Sequence, residues 1–99
     1  MAHEIVYAPE AVEQISAFSK RDQQRLLDAV DRQLVHQPAQ PTRHRKRLRP
    51  NLLADWELRV GDFRVYYLVS ASPRPMVWVV AIGEKVGNRL FIAGEEVFI

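Results

Sequence analysis

The chain has 99 residues, of which 47% are hydrophobic, with a net charge of +2 and no cysteine. This length suits a single core, and we expect one domain over residues 1–99. The absence of cysteine excludes a disulfide framework and a thiolate metal site. Residues 1–4 do not resemble a signal peptide, and no apolar run is long enough for a membrane span. We therefore expect a cytoplasmic protein that uses neither a metal nor another cofactor.

The N-terminal third predicts one short strand and two helices. The strand falls within residues 2–8, Pro9 suits the first turn of a helix, and Ser19 suits the cap of a second helix. Apolar residues recur at helical spacing at Val12, Ile15 and Phe18 in the first helix and at Leu26, Leu27, Val30 and Leu34 in the second. Pro38 and Pro41 then end the second helix and begin an extended linker.

The remainder of the chain predicts strands only. We expect them over residues 52–60, 63–70 and 76–82, and a last strand or small hairpin over residues 89–92 and 96–99. The run over residues 76–82 is almost wholly apolar, which indicates a central strand covered on both faces. The order of elements predicts an α+β domain in which an N-terminal strand and a helical hairpin pack on one antiparallel β-sheet.

The stretch Trp56–Tyr67 is the most informative part of the chain because it predicts a hairpin with two opposed arginines. Polar and apolar residues alternate on both sides of Gly61-Asp62, which suits a type II′ turn. In that register Arg59 faces Arg64 on the polar face, beside a pair of Glu57 with Tyr66. Like charges directly opposite each other are unfavourable, so this pair of arginines predicts a site for an anion.

The linker carries a local concentration of positive charge. Five of the fourteen basic side chains and one histidine lie within residues 43–49: Arg43, His44, Arg45, Lys46, Arg47 and Arg49. Such a cluster attracts phosphates, and its binding weakens as salt rises. The alternative is a charged loop that only faces water, and the sequence leaves both interpretations open.

Two segments of this chain resemble the RelE/ParE toxin superfamily. They are residues 58–67, with the arginine hairpin, and residues 81–85, with the sequence Ala-Ile-Gly-Glu-Lys. The two preceding helices and the basic linker also fall where that family has them, so the resemblance covers nearly the whole chain. It implies a RelE-like fold and the toxin of a type II toxin–antitoxin system.

The resemblance also implies roles for individual residues in metal-independent cleavage of RNA. Arg59 would stabilise the phosphate, Lys85 would replace a catalytic arginine or histidine, and Arg64 would act there or pair with a nearby acid. Lys46 is our candidate for the general base, because neighbouring positive charges favour a neutral lysine. The candidates for contact with RNA are Arg43, Arg45, Arg47, Arg49, Tyr66, Arg89 and Phe91.

Several residues depart from the pattern of an active nuclease or allow another interpretation. Phe91 stands where such enzymes usually keep a tyrosine or a similar polar residue, and Glu57 stands where some members have lysine. These departures predict weakened or altered nuclease activity. Tyr66 is equally suited to filling the core, and Trp56 and Trp78 are expected in the core. The three histidines are not expected to form a catalytic pair.

Three functions therefore remain open from the sequence. The first is a ribosome-dependent mRNA endoribonuclease that inhibits translation, the second a ParE-like inhibitor of DNA gyrase, and the third a catalytically silent module that binds antitoxin and assists operon autorepression. The expected partners are an acidic antitoxin, the ribosome and mRNA, with operator DNA bound only as the toxin–antitoxin complex. No membrane partner is expected, and the free protein could form a homodimer.

Overall fold

A computed structural model describes residues 2–99 of the chain. Its helices and strands are β1 (Glu4–Tyr7), α1 (Pro9–Ser16), α2 (Lys20–Leu34), β2 (Arg45–Arg47), β3 (Trp56–Val60), β4 (Phe63–Ser70), β5 (Met76–Val86), β6 (Arg89–Ile92) and β7 (Glu95–Val97). The two helices of this range pack on one sheet of seven strands, which confirms the predicted α+β class. No helix among these residues is long and apolar enough to cross a membrane.

Both helices begin where the sequence predicts. Pro9 is the first residue of α1, and the hydroxyl of Ser19 caps α2 by accepting a hydrogen bond from the Asp22 amide at 3.1 Å. The buried stripes differ from the prediction, because Val12 and Leu27 are 54% and 36% exposed. Small alanines take the buried positions, so that the inward faces are Ala11 and Ile15 in α1 and Leu26, Ala29, Val30 and Leu34 in α2.

The strand order β2-β3-β4-β5-β6-β7 places β5 near the middle of the sheet. Two strands share one edge of β5. The first half of β5 pairs with β1 in parallel, from Glu4 with Met76 to Tyr7 with Val79, and its last three residues pair with β6. Within residues 2–99, the pairing of β1 with β5 is parallel and the other five strand pairings are antiparallel.

Four strand assignments differ from the prediction, and one of them is β7, which spans Glu95–Val97 where residues 96–99 were predicted. The linker, predicted only as an extended segment, contains β2, which pairs with β3. The strand predicted from residue 52 starts at Trp56, because the Asn51 side chain accepts hydrogen bonds from the amides of Leu53 and Ala54 and holds a turn there. By contrast, β5 continues through Gly83 to Val86, beyond its predicted end at residue 82.

The main core lies between the helices and one face of the sheet, and a second cluster lies on the opposite face. That second cluster centres on Ala54, Tyr66, Ala81 and Leu90, next to β6 and β7. It does not extend along the whole of β5, so Trp78 is 40% exposed and the prediction that it belongs to the core is wrong. Trp56 is 4% exposed and lies in the core as predicted.

Candidate functional site

The hairpin of β3 and β4 has the predicted register. Arg59 pairs with Arg64, and Glu57 pairs with Tyr66. Gly61 has a φ of +60°, as the first central residue of a type II′ turn requires, and Asp62 has no positive φ. Because side chains alternate along each strand, all four polar residues lie on the face of the sheet that points away from the helices.

The two opposed arginines have different environments. The Arg64 side chain is buried, and its Nη1 donates hydrogen bonds to the carbonyl oxygens of Gly61 and Phe63, both at 2.8 Å. Its Nε lies 4.0 Å from Glu57 Oε1 and has no hydrogen-bond partner in the described chain. Arg59 is exposed and has no ion pair within residues 2–99. Arg59 is therefore the member of the pair that can meet an anion from solution.

Tyr66 is fully buried and donates a hydrogen bond from its hydroxyl to Glu57 Oε2 at 2.9 Å. Burial raises the pKa of the Tyr66 phenol well above its usual value, the Glu57 charge and hydrogen bond raise it further, and Arg64 lowers it. A buried and neutral phenol of this kind supports the sheet. It offers no ring face on which a base could stack.

Lys85 lies on the same face of the sheet as Arg64, since Gly83 pairs with Arg64 and side chains alternate along β5. The Lys85 amide donates to the Asp62 carbonyl at 2.8 Å, which fixes the strand beside the hairpin turn. The half-buried side chain lines a cleft of about 190 Å³. That cleft also contains Glu57 and Tyr66, and the segment from β6 to Ile99 covers its other side.

Arg45 is buried, unlike the other arginines of the linker. Its Nε donates to the Gln40 carbonyl at 2.9 Å, and its Nη1 donates to the carbonyl and the side-chain oxygen of Gln33 at 2.7 and 3.1 Å. These bonds tie the start of β2 to the C-terminal end of α2. The geometry therefore assigns Arg45 to the fold and does not present it to RNA.

Three basic side chains of the linker line a separate cleft of about 380 Å³. They are Lys46, Arg47 and Arg49, and the cleft also contains Asn51 and Ile99. Lys46 pairs in register with Glu57, so it projects on the same face of the sheet as Arg59. The guanidinium carbon of Arg47 lies 5.6 Å from the centroid of the Trp56 ring. Because Ile99 also lines the Lys85 cleft, the two clefts adjoin.

Arg59 also borders a third cleft, of about 450 Å³, which lies at the edge of the sheet where α2 meets the tip of the hairpin. Its other charged or titratable lining residues are Arg25, Arg32, Arg43 and His44. Arg25 and Arg32 were not predicted as site residues, although their seven-residue separation on α2 is the signal that places both on one helical face. Only the packing of α2 against the hairpin brings them to Arg59.

Arg89 borders the Lys85 cleft, whereas Phe91 lies apart from the basic clusters. Arg89 donates from Nη2 to Glu96 Oε1 at 2.8 Å, and its guanidinium carbon lies 5.2 Å from the centroid of the Phe91 ring. Glu84 pairs with Phe91 and Lys85 pairs with Leu90, so Phe91 is on the opposite face of the sheet from Lys85. Phe91 lines a cleft against α1 together with Glu10, Glu13 and Glu84.

The structure thus brings only part of the predicted site together. Arg59 and Lys85 share one face of the sheet but line different clefts. They are two strands and two residues apart in register, which places their Cα atoms roughly 12 Å from each other at ordinary strand spacing. Two extended basic side chains can span that distance to one phosphate group. Among residues 2–99, no group of three or more His, Asp or Glu side chains could hold a metal ion.

Comparison with solved structures identifies the fold. The chain is similar to a chain of the crystal structure of the toxin–antitoxin complex RelBE2 from Mycobacterium tuberculosis, with a TM-score of 0.70 and 16% sequence identity. The match covers 86% of this chain and 100% of that chain. No protein-family model and no curated protein matches the sequence. The chain therefore has the RelE-like fold that the sequence resemblance implied.

Proposed function

We propose that this RelE-like chain is the toxin of a type II toxin–antitoxin system and inhibits translation by cleaving mRNA on the ribosome. The observation that carries the proposal is a set of cationic side chains around the hairpin, none of which has a carboxylate partner within residues 2–99. These are Arg43, Lys46, Arg47, Arg49, Arg59 and Lys85. Uncompensated positive charge concentrated around one hairpin of a small protein favours a polyanionic partner.

The proposed reaction uses the 2′-hydroxyl of RNA as its nucleophile and needs no metal. A base removes the hydroxyl proton, the oxygen attacks the adjacent phosphorus, and the bond from phosphorus to the 5′-oxygen breaks as that oxygen gains a proton. The products are a 2′,3′-cyclic phosphate and a 5′-hydroxyl. Arg59 stabilises the charge on the phosphorane, Lys85 protonates the leaving oxygen, and Lys46 is the candidate base.

An antitoxin partner is supported by the edge of the sheet as well as by its charge. Strand β2 stands at one end of the strand order, so its outer side is not paired with another strand of the described chain. The main-chain groups of Arg45 are bonded to Thr42, so an added strand would form main-chain hydrogen bonds with the edge at Arg47. The basic residues of β2 and the adjoining linker favour an acidic segment as that strand. The RelBE2 structure is itself a toxin–antitoxin complex.

Expression of single variants in bacterial cells tests the proposed activity. We expect the wild-type chain to stop growth and protein synthesis, and Arg59→Ala or Lys85→Ala to relieve the arrest, because each removes a cation that the reaction needs. The control is Lys20→Ala, which removes one positive charge at the exposed start of α2. Full arrest by both the Arg59 and the Lys85 variants would contradict the proposal. A block in DNA supercoiling with continuing translation would indicate a ParE-like gyrase inhibitor instead.

The separation of Arg59 from Lys85 supports a second candidate function. A chain whose phosphate-binding groups line different clefts, and whose hairpin tyrosine is buried, has the features of a catalytically silent module that binds antitoxin and assists repression of its operon. This candidate predicts normal growth on expression and tight co-purification with the neighbouring gene product. Growth arrest that depends on Arg59 would exclude it.

A further inference from the structure

The cleft between α2 and the hairpin tip is strongly cationic. Its volume is about 450 Å³, and it is lined by four arginines and one histidine. The remaining lining residues are Ala29, Gln33, Val60 and Gly61, so no carboxylate borders the cleft. The positive charge is therefore not neutralised where it is concentrated.

The arginines of this cleft are free to meet a ligand. Within residues 2–99, the side chains of Arg32, Arg43 and Arg59 make neither an ion pair nor a hydrogen bond. Arg25 has one carboxylate neighbour, Asp22, at 3.9 Å, and both side chains are partly exposed. Exposed pairs at that distance contribute little binding energy, so Arg25 also remains available.

The fold holds the walls of the cleft in place. Arg45 bonds to the end of α2 and thereby fixes the adjacent Arg43 and His44 against the helix. The His44 carbonyl accepts the Arg59 amide at 2.9 Å, which joins the linker to β3. At the hairpin tip, a Cβ on Gly61 would collide with Nη2 of Arg25. The lack of a side chain at this turn therefore makes room for the Arg25 guanidinium.

We propose that this cleft binds the phosphodiester backbone of a single-stranded nucleic acid, with Arg25 and Arg32 of α2 forming one wall. The inference rests on the proposed function, for which it supplies the surface that holds RNA beside Arg59. Arg25 and Arg32 are two helical turns apart, about 10 Å along the axis. This distance is about that of three stacked nucleotides at 3.4 Å each.

The residues that line the cleft favour a nucleic acid over an acidic protein as its ligand. Ala29 and Val60 are the aliphatic residues that border the cleft, and neither offers the apolar anchor on which protein interfaces depend. Binding of a phosphate backbone requires only positive charge and hydrogen-bond donors. Arginine supplies both, with a geometry that matches a phosphate group.

The test measures how binding of a short fluorescein-labelled oligouridylate depends on salt. We expect Arg25→Gln and Arg32→Gln each to weaken binding and to reduce the slope of log affinity against log salt by about 0.7. Arg32→Lys keeps the charge and should retain most of the slope. The matched control is Lys20→Gln, which lies roughly 140° around α2 from Arg25 and should leave the slope unchanged.

Four results would overturn the inference. They are no binding of the oligouridylate by the wild-type chain, an unchanged slope in both arginine variants, an equal loss in Lys20→Gln, and displacement of the RNA by polyglutamate at lower concentration than by unlabelled oligouridylate. An oligodeoxyuridylate of the same length shows whether RNA or DNA is the preferred source of the phosphates. Growth arrest that requires Arg59, together with unchanged slopes for Arg25→Gln and Arg32→Gln, would contradict the proposed cleft and leave the proposed nuclease activity standing. Reduced slopes in these two variants, together with no growth arrest that depends on Arg59, would contradict the nuclease activity and leave the cleft as a binding site.

Discussion

Arg59 and Arg64 face each other across one hairpin, yet only one of them is available to a ligand. Nη1 of Arg64 donates hydrogen bonds to carbonyl oxygens of the turn, and Glu57 lies 4.0 Å from its Nε. The register follows from the alternation of residue types around Gly61. The difference in burial follows from strand position, because β4 lies between β3 and β5 whereas the pairing of β2 with β3 ends at Leu58, and this arrangement could not be predicted from the hairpin sequence.

The three tyrosines provide a prediction about pH. Burial raises the pKa of Tyr7 to about 12, with a smaller contribution from Asp31, and it raises the pKa values of Tyr66 and Tyr67 further. An unfolded chain releases these protons near pH 10. The contribution to stability is therefore fully present below pH 10 and is lost as pH rises above it, because the unfolded state then binds fewer protons.

The tyrosinate absorbance band checks this prediction. The native protein should show little tyrosinate at about pH 11, whereas the protein in urea should be largely ionised there. Tyr7→Phe should remove the first tyrosine to ionise in the native titration. A native tyrosine that titrates near pH 10 would contradict the burial of that side chain.

At the scale of elements, the features set by nearby residues were predicted, whereas those set by tertiary contacts were not. Pro9, the Ser19 cap and the bounds of β4 follow from nearby residues, and all were predicted. Strand β2 was missed because its three residues are all basic and lack alternation, so only pairing with β3 makes them a strand. Phe91 was a candidate for contact with RNA because it stands where related nucleases keep a tyrosine, and the register of β6 turns it to the opposite face of the sheet from Lys85.

Substitution of Arg45 tests whether the linker is held to α2 by a buried side chain. Arg45→Ala removes three hydrogen bonds from a charged group and leaves the Gln33 and Gln40 carbonyls without this donor. We expect the free energy of unfolding in urea to fall by about 2–4 kcal/mol. The neighbouring Lys46→Ala, at an exposed position of the same strand, should change it by no more than about 0.5 kcal/mol. Equal effects would show that Arg45 does not anchor the linker.

At the scale of the whole molecule, the small net charge of +2 conceals two regions of opposite sign. Uncompensated cations surround the hairpin and the linker. A cleft of about 520 Å³ between α1 and the β5–β6 end of the sheet is bordered by Glu10, Glu13 and Glu84, which have no ion-pair partner in the described chain. Such a separation of charge orients a protein near a polyanion, and here it would turn the RelE-like hairpin and β2 toward it.

Mapping of mRNA ends in a cell-free translation reaction tests the central claim most directly. With purified wild-type protein, we predict new 5′ ends inside the coding sequence that carry a free hydroxyl, and we predict that Arg59→Ala abolishes them. The ends should also disappear when ribosomes are omitted. Intact mRNA and continued translation in the presence of the wild-type chain would contradict the account.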